Sequence, residues 1–128
     1  MDTDKIDIDM KNGIPIYIQL GEQIRMLIRN GSLEPGDLMP TTRYLAVQLG
    51  LNVNTVARVY RDLQNSGQLS LKRGVGTFVA EGAEQPMAKK QYEMLEKKVA
   101  QIIKIGKEAG LSPGELAQFI TTKWKEME

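Results

Sequence analysis

Between positions 52 and 61, Asn52, Asn54, Thr55, Arg58 and Arg61 gather amide, hydroxyl and guanidinium groups on short or forked side chains. Asn matches an adenine edge, Arg matches guanine or a phosphate, and the free amides of a helix start attract anions. The chemistry such a set supports is hydrogen-bonded recognition of nucleic acid. A second cluster, Lys72-Arg73-Gly74-Val75-Gly76, places two adjacent cations beside glycines that leave the backbone open to a phosphate or a minor groove. Arg43 adds a third cationic position upstream.

The elements that must carry these residues are legible from spacing. Thr41 can cap a helix that Pro40 precedes, and Leu45 and Leu49 recur in it at helical intervals, with Ala46 beside them. Gly50 offers the positive φ of a chain reversal, and Asn52 is placed to cap the next helix, expected over about Val53–Ser66. In that second helix Val56, Val59, Tyr60 and Leu63 form an inward stripe, which leaves the polar set on the opposite face. Asn52 reads either as a cap alone or as a base reader too. Asn54, Thr55 and Arg58 are expected toward bases, and Arg61 either at the groove's edge or simply solvated. Tyr44 either touches a phosphate or packs, and Tyr60 belongs to the core. Leu69–Arg73 and Thr77–Ala80 read as two strands of a hairpin, a wing beside a helix-turn-helix. Gly74-Val75-Gly76 lacks the third glycine and the following helix of a dinucleotide fingerprint.

These residues resemble the amino-terminal winged helix-turn-helix of GntR-type bacterial transcription regulators. The resemblance rests on Pro40-Thr41-Thr42-Arg43, on Asn54-Thr55-Val56 and on Gly74-Val75-Gly76-Thr77-Phe78-Val79, and it covers about residues 14–80. It implies DNA contacts from Arg43, from the start of the recognition helix and from the wing tip, where Lys72, Arg73, Gly74 and Gly76 lie. The chain departs from the family pattern where Thr42 and Tyr44 replace usual acidic residues. It departs again at Ala57, where some members place a DNA-contacting arginine; Arg58 lies about 100° further round the helix.

Composition sets the bounds. A chain of 128 residues, 41% hydrophobic, holds one small domain and an appendage. With no Cys and no His, disulfides, thiolate or ordinary zinc sites and histidine-based acid–base chemistry are excluded, no cofactor is expected, and an enzyme reading has no visible nucleophile with a base. No signal peptide or long apolar run is visible, so the expected location is the cytoplasm and no membrane partner is expected. The net charge of +1 conceals an asymmetry: residues 38–80 carry five cations against Asp62 alone, while residues 81–128 balance eight lysines with eight glutamates. Positive charge is thus concentrated where the nucleic-acid face is expected. Lys89-Lys90 and Lys97-Lys98, set against Glu93 and Glu96, read as a solvated helix face.

Around this centre, residues 1–13 are expected as a loose acidic arm, and 14–80 as the winged helix-turn-helix domain. Its scaffold helix runs from about Pro15 to Asn30 on Ile16, Leu20, Ile24, Leu27 and Ile28. Glu34–Asp37 is a turn, and Leu38-Met39 a short strand that can pair with the wing. Residues 81–86 have linker composition. In 87–128, Tyr92, Leu95, Val99, Ile102 and Ile103 stripe one helix ending near Ala109. Leu116, Phe119, Ile120 and Trp124 stripe another, opened by the capping box Ser112-Pro113-Gly114-Glu115. Two helices of this size cannot bury both stripes alone, so a homodimer is expected through them. A short two-helix tail resembles the YtrA-type GntR subgroup, which implies dimers that often control transporter operons. The fold class is therefore mainly α with a small β-hairpin, a winged helix-turn-helix followed by an α-helical hairpin tail. The expected function is a sequence-specific regulator, more a repressor than an activator, acting on an inverted-repeat operator in double-stranded DNA. The alternatives are a non-specific architectural DNA binder and a winged-helix protein adaptor. A small-molecule effector, if there is one, would have only an apolar seam beside the tail to occupy.

Overall fold

The computed structural model describes residues 1–83 and 87–128, which fall into two compact units, Met1–Met87 and Ala88–Glu128. Glu84, Gln85 and Pro86 of the expected linker lie outside the described residues.

In the first unit α1 spans Ile16–Arg29, with Pro15 at the capping position just before it. Helix α2 (Thr42–Leu49) opens on Thr41, whose hydroxyl accepts from the Tyr44 N–H at 3.1 Å. It stops at Gly50, which takes φ +66° and donates its N–H back into the last turn. Helix α3 (Val53–Asn65) follows, capped by Asn52, whose Oδ1 accepts from the Asn54 N–H at 2.8 Å. Strands β1 (Leu69–Lys72) and β2 (Gly76–Val79) pair antiparallel, with Leu69 opposite Val79 and Lys72 opposite Gly76. The expected third rung is present. Leu38 bridges Phe78, the Met39 N–H donates to the Thr77 carbonyl at 2.8 Å, and the Val79 N–H donates to the Asp37 carbonyl at 2.8 Å.

Helix α3 packs on α1, α2 and β1 at once, and its stripe of Val56, Val59, Tyr60 and Leu63 is fully buried against Leu20, Ile24, Ile28 and Leu45. Side chains of this size each contribute about 1.5–3 kcal/mol when withdrawn from water. Val79 closes the core from the wing side.

The amino-terminal segment corrects the expectation of a loose arm. Thr3–Lys5 forms a 3-10 turn, Ile6 is 6% exposed within the core, and Ile8 packs against it. The cause is a pair of glutamines one turn apart on α1. The Gln23 carboxamide accepts from the Asp7 N–H at 2.8 Å and donates to the Asp7 carbonyl at 2.7 Å. The buried Gln19 carboxamide does the same for Asp9, at 2.9 Å each way, and also donates to the Ile14 carbonyl at 2.8 Å. Each side-chain amide replaces a peptide of a neighbouring strand, so an extended segment is held without a sheet. Its alternation Ile6-Asp7-Ile8-Asp9 turns the isoleucines inward.

In the second unit α4 spans Lys89–Glu108 and α5 spans Pro113–Met127. The capping box is formed: Ser112 Oγ accepts from the Glu115 N–H at 3.1 Å and Glu115 Oε1 accepts from the Ser112 N–H at 2.9 Å. These two bonds hold the Glu115 carboxyl below the usual range. The helices meet closely at Gly106, where an added Cβ would lie 3.1 Å from Leu116 Cδ2.

Replacing Gln19 by Leu leaves the Asp9 and Ile14 backbone groups without their partner. The expected cost is about 1–3 kcal/mol in chemical denaturation, together with faster hydrogen exchange at the Asp9 amide; Gln23→Leu, at a more exposed site, should cost less.

Candidate nucleic-acid interface

The polar set of α3 stands on the face opposite the buried stripe, where Asn54, Arg58 and Arg61 are exposed and Thr55 is half-buried. Asn52 is exposed as well, and its side-chain oxygen is engaged in the cap. Arg43, in the first turn of α2, is exposed, as is Tyr44 beside it. The structure therefore groups Arg43, Asn52, Asn54, Thr55, Arg58 and Arg61 on two successive helices of one unit.

Arg58 has surroundings that the sequence reading missed. Its guanidinium carbon lies 3.7 Å from the centroid of the Tyr17 ring on α1, and its Nε is 4.0 Å from Asp62 Oδ2 one turn along α3. Tyr17 carries no motif; the one signal was its place beside the apolar stripe of the scaffold helix.

In the wing, Lys72, Arg73 and Gly74 are exposed and the Val75 N–H closes the turn on the Lys72 carbonyl at 2.9 Å. The Lys72 ammonium sits 4.7 Å over the Phe78 ring, which steadies its stem across the hairpin. Gly76 has φ +153°, and a Cβ there would come within 3.0 Å of Leu38 Cδ1, so the wing's base requires glycine twice over. Val75 at the tip is 70% exposed, an apolar side chain between two glycines.

Tyr60 is core, as its place in the stripe predicts. Its hydroxyl donates to the Pro40 carbonyl at 2.7 Å, and burial pushes its phenol well above the usual tyrosine value. Among the described residues no cluster of acidic groups is arranged to hold a metal ion, and no helix is long and apolar enough to cross a membrane. Exposed forked cations, short polar side chains at a helix start and a glycine-tipped basic hairpin, all on one unit, have the chemistry that engages a duplex.

Comparison with known proteins agrees with that geometry. The pattern describing bacterial regulatory proteins of the gntR family matches residues 16–79, half of the chain. The chain belongs to the GntR family. It is 32% identical over 115 residues to the HTH-type transcriptional repressor YtrA of Bacillus subtilis, across 90% of this chain and 88% of that protein. The solved structure of YtrA from Sulfolobus acidocaldarius, a GntR-family transcription factor, superimposes with a TM-score of 0.55 at 29% identity, covering 94% of this chain and 97% of that one. The DNA-binding domain of AraR, solved in complex with operator ORX1, matches 59% of this chain and 96% of its own at 30% identity and a TM-score of 0.54. This GntR protein is thus a sequence-specific DNA-binding transcription regulator with a winged helix-turn-helix, and not an enzyme.

The Tyr60 bond carries a prediction with a definite sign. Because the folded-state pKa is raised, the stability tied to the neutral phenol is full below the unfolded value of about 10 and is lost as pH climbs beyond it. Tyr60→Phe should cost about 1–3 kcal/mol at neutral pH, since the Pro40 carbonyl loses its donor. It should also flatten the loss of stability above pH ~10, as read by thermal melts across an alkaline series.

Proposed function

We propose that this GntR regulator is a homodimeric repressor that binds an inverted-repeat operator, one reading head per half-site. By its likeness to YtrA-type regulators, the operon it controls encodes a transporter. In each head, Asn54 and Thr55 read base edges at the start of α3, Asn52 caps that start beside them, and Arg61 borders the groove. Arg43, Lys72, Arg73 and the backbone at Gly74 and Gly76 hold phosphate or minor groove.

The observation that carries the dimer is the uncovered face of the second unit. Leu95, Val99, Ile102 and Ile103 on α4 are each 40–44% exposed, Phe119 and Ile120 on α5 are exposed, and Trp124 is 70% exposed, with Tyr92 half-buried near the start of α4. Leu116 is drawn in against Gly106. An open apolar cleft of about 530 Å³ runs between the two helices. Aromatic and branched side chains left in water at this density favour association, and a two-fold copy offers the matching stripe. A repeat read by two identical heads then follows from the symmetry.

Genomic fragments selected on the wild-type protein at near-physiological salt should yield an inverted repeat with half-sites about one helical turn apart, and Arg43→Ala should weaken its recovery. Light scattering should give twice the 14.3 kDa chain mass. The double variant Phe119→Glu/Trp124→Glu, altering two exposed positions, should run as a folded monomer and lose most of its operator affinity. A wild-type chain that is monomeric when bound to its full operator would overturn the proposal.

A further inference from the structure

We propose that Tyr17 of α1 positions Arg58 as a clamp on the sugar–phosphate backbone, so that Arg58 does not read a base. This rests on the DNA-binding reading of α3 given above and assigns one of its cations.

Three observations carry it. First, the Arg58 fork lies on the Tyr17 ring at 3.7 Å, turned back along the edge of α3 that faces α1. A side chain held there is engaged with the scaffold helix and not extended freely from α3. Second, Asp62 stands 4.0 Å from Nε, so the charge is steadied from one side while the Nη groups at the other end of the fork stay open, and the Arg58 side chain keeps 52% exposure. A guanidinium seated on a ring face retains its in-plane N–H donors, which suits a phosphate oxygen. Third, Ala57 offers only a methyl group at the neighbouring position, about 100° away, so Arg58 cannot fill that site without leaving the ring. The same side of the unit is braced again where Arg25 of α1 donates to Ser66 Oγ at 3.3 Å, just past the end of α3. The recognition helix and scaffold helix are thereby locked in the register that aims the clamp. A stacked cation is already ordered before DNA arrives, which removes part of the side-chain entropy otherwise lost on binding.

The test measures affinity of the full chain for the fragment most enriched by the wild type, and for a random fragment, between 50 and 200 mM salt. The variants are Arg58→Ala, Tyr17→Leu, Tyr17→Phe and the double Tyr17→Leu/Arg58→Ala. Loss of one phosphate contact should reduce the slope of log affinity against log salt by about 0.9 in Arg58→Ala, on both fragments alike. The preference for the enriched fragment over the random one should stay unchanged. Tyr17→Leu should weaken binding roughly 2- to 5-fold on both fragments, Tyr17→Phe should restore it, and the double variant should be no weaker than Arg58→Ala. Two results would overturn the clamp: a lost preference with an unchanged salt slope in Arg58→Ala, or additive losses in the double variant. Failure of the wild type to prefer any fragment would overturn the operator reading instead. The slopes on random DNA would still decide the clamp.

Discussion

The hydrogen bond from the Tyr60 hydroxyl to the Pro40 carbonyl, 2.7 Å long, ties α3 to the stretch of backbone from which α2 starts and on which the wing pairs. Pro40 stands in a short stretch of backbone with obligations on every side. Asp37 and Met39 pair with the wing strand, Pro40 takes its donor from the middle of α3, and Thr41 caps α2. A shift in any one of these bonds would move the other two. Arg43, the start of α3 and the wing tip are therefore placed by the same few peptides, although they are far apart in sequence. A two-stranded hairpin alone is marginal in water. Its rung to Leu38 and the core position of Val79 turn it into a fixed arm.

The same constraint explains why α3 is amphipathic to the degree it is. Its inward residues are branched or aromatic and leave water completely, while its outward residues are short amides, a hydroxyl and forked cations. The helix contributes to stability through one half of its surface and leaves the other half open to a ligand. Substitutions at the exposed Asn54 or Arg61 therefore leave the core untouched. Tyr60 is the exception, since it belongs to the core by its ring and to the positioning of α2 and the wing by its hydroxyl.

What the sequence makes legible is what is local. Caps at Thr41, Asn52 and Ser112, the stop at Gly50 and the stripe of α3 depend on neighbours within a turn or two, and each has a residue type that announces it. The hairpin is legible for the same reason, whereas its rung joins Leu38 to Phe78 across a long stretch of chain. The amino-terminal segment is not legible in this way because its partners, Gln19 and Gln23, read as ordinary polar positions on a helix; their role appears once the extended segment lies beside them. Gly106 is silent too, because a helical glycine means close packing only when another helix crosses there. The Arg58–Tyr17 stack depends on the packing of α1 against α3, which no spacing within either helix encodes. Caps and stripes thus follow from the chain's own periodicity, whereas the set of a side chain between two helices follows from tertiary packing.

The division of charge carries the last step. Residues 38–80 of the reading unit carry five cations against Asp62 alone, whereas the second unit intersperses eight lysines with six glutamates. The feature that sets the second unit apart is its exposed apolar stripe, which in the proposed dimer meets another apolar stripe. Five cations on one head, one of them facing Asp62, can neutralise only a few phosphates, and an isolated head would bind weakly at physiological salt. Joining two such heads makes the second contact intramolecular, which multiplies affinity without any new side chain at the groove. In the proposed dimer, specificity is therefore a property of spacing as much as of side chains. Each head needs only the modest set of polar residues that α3 carries, because the tail supplies the requirement that two half-sites be present together.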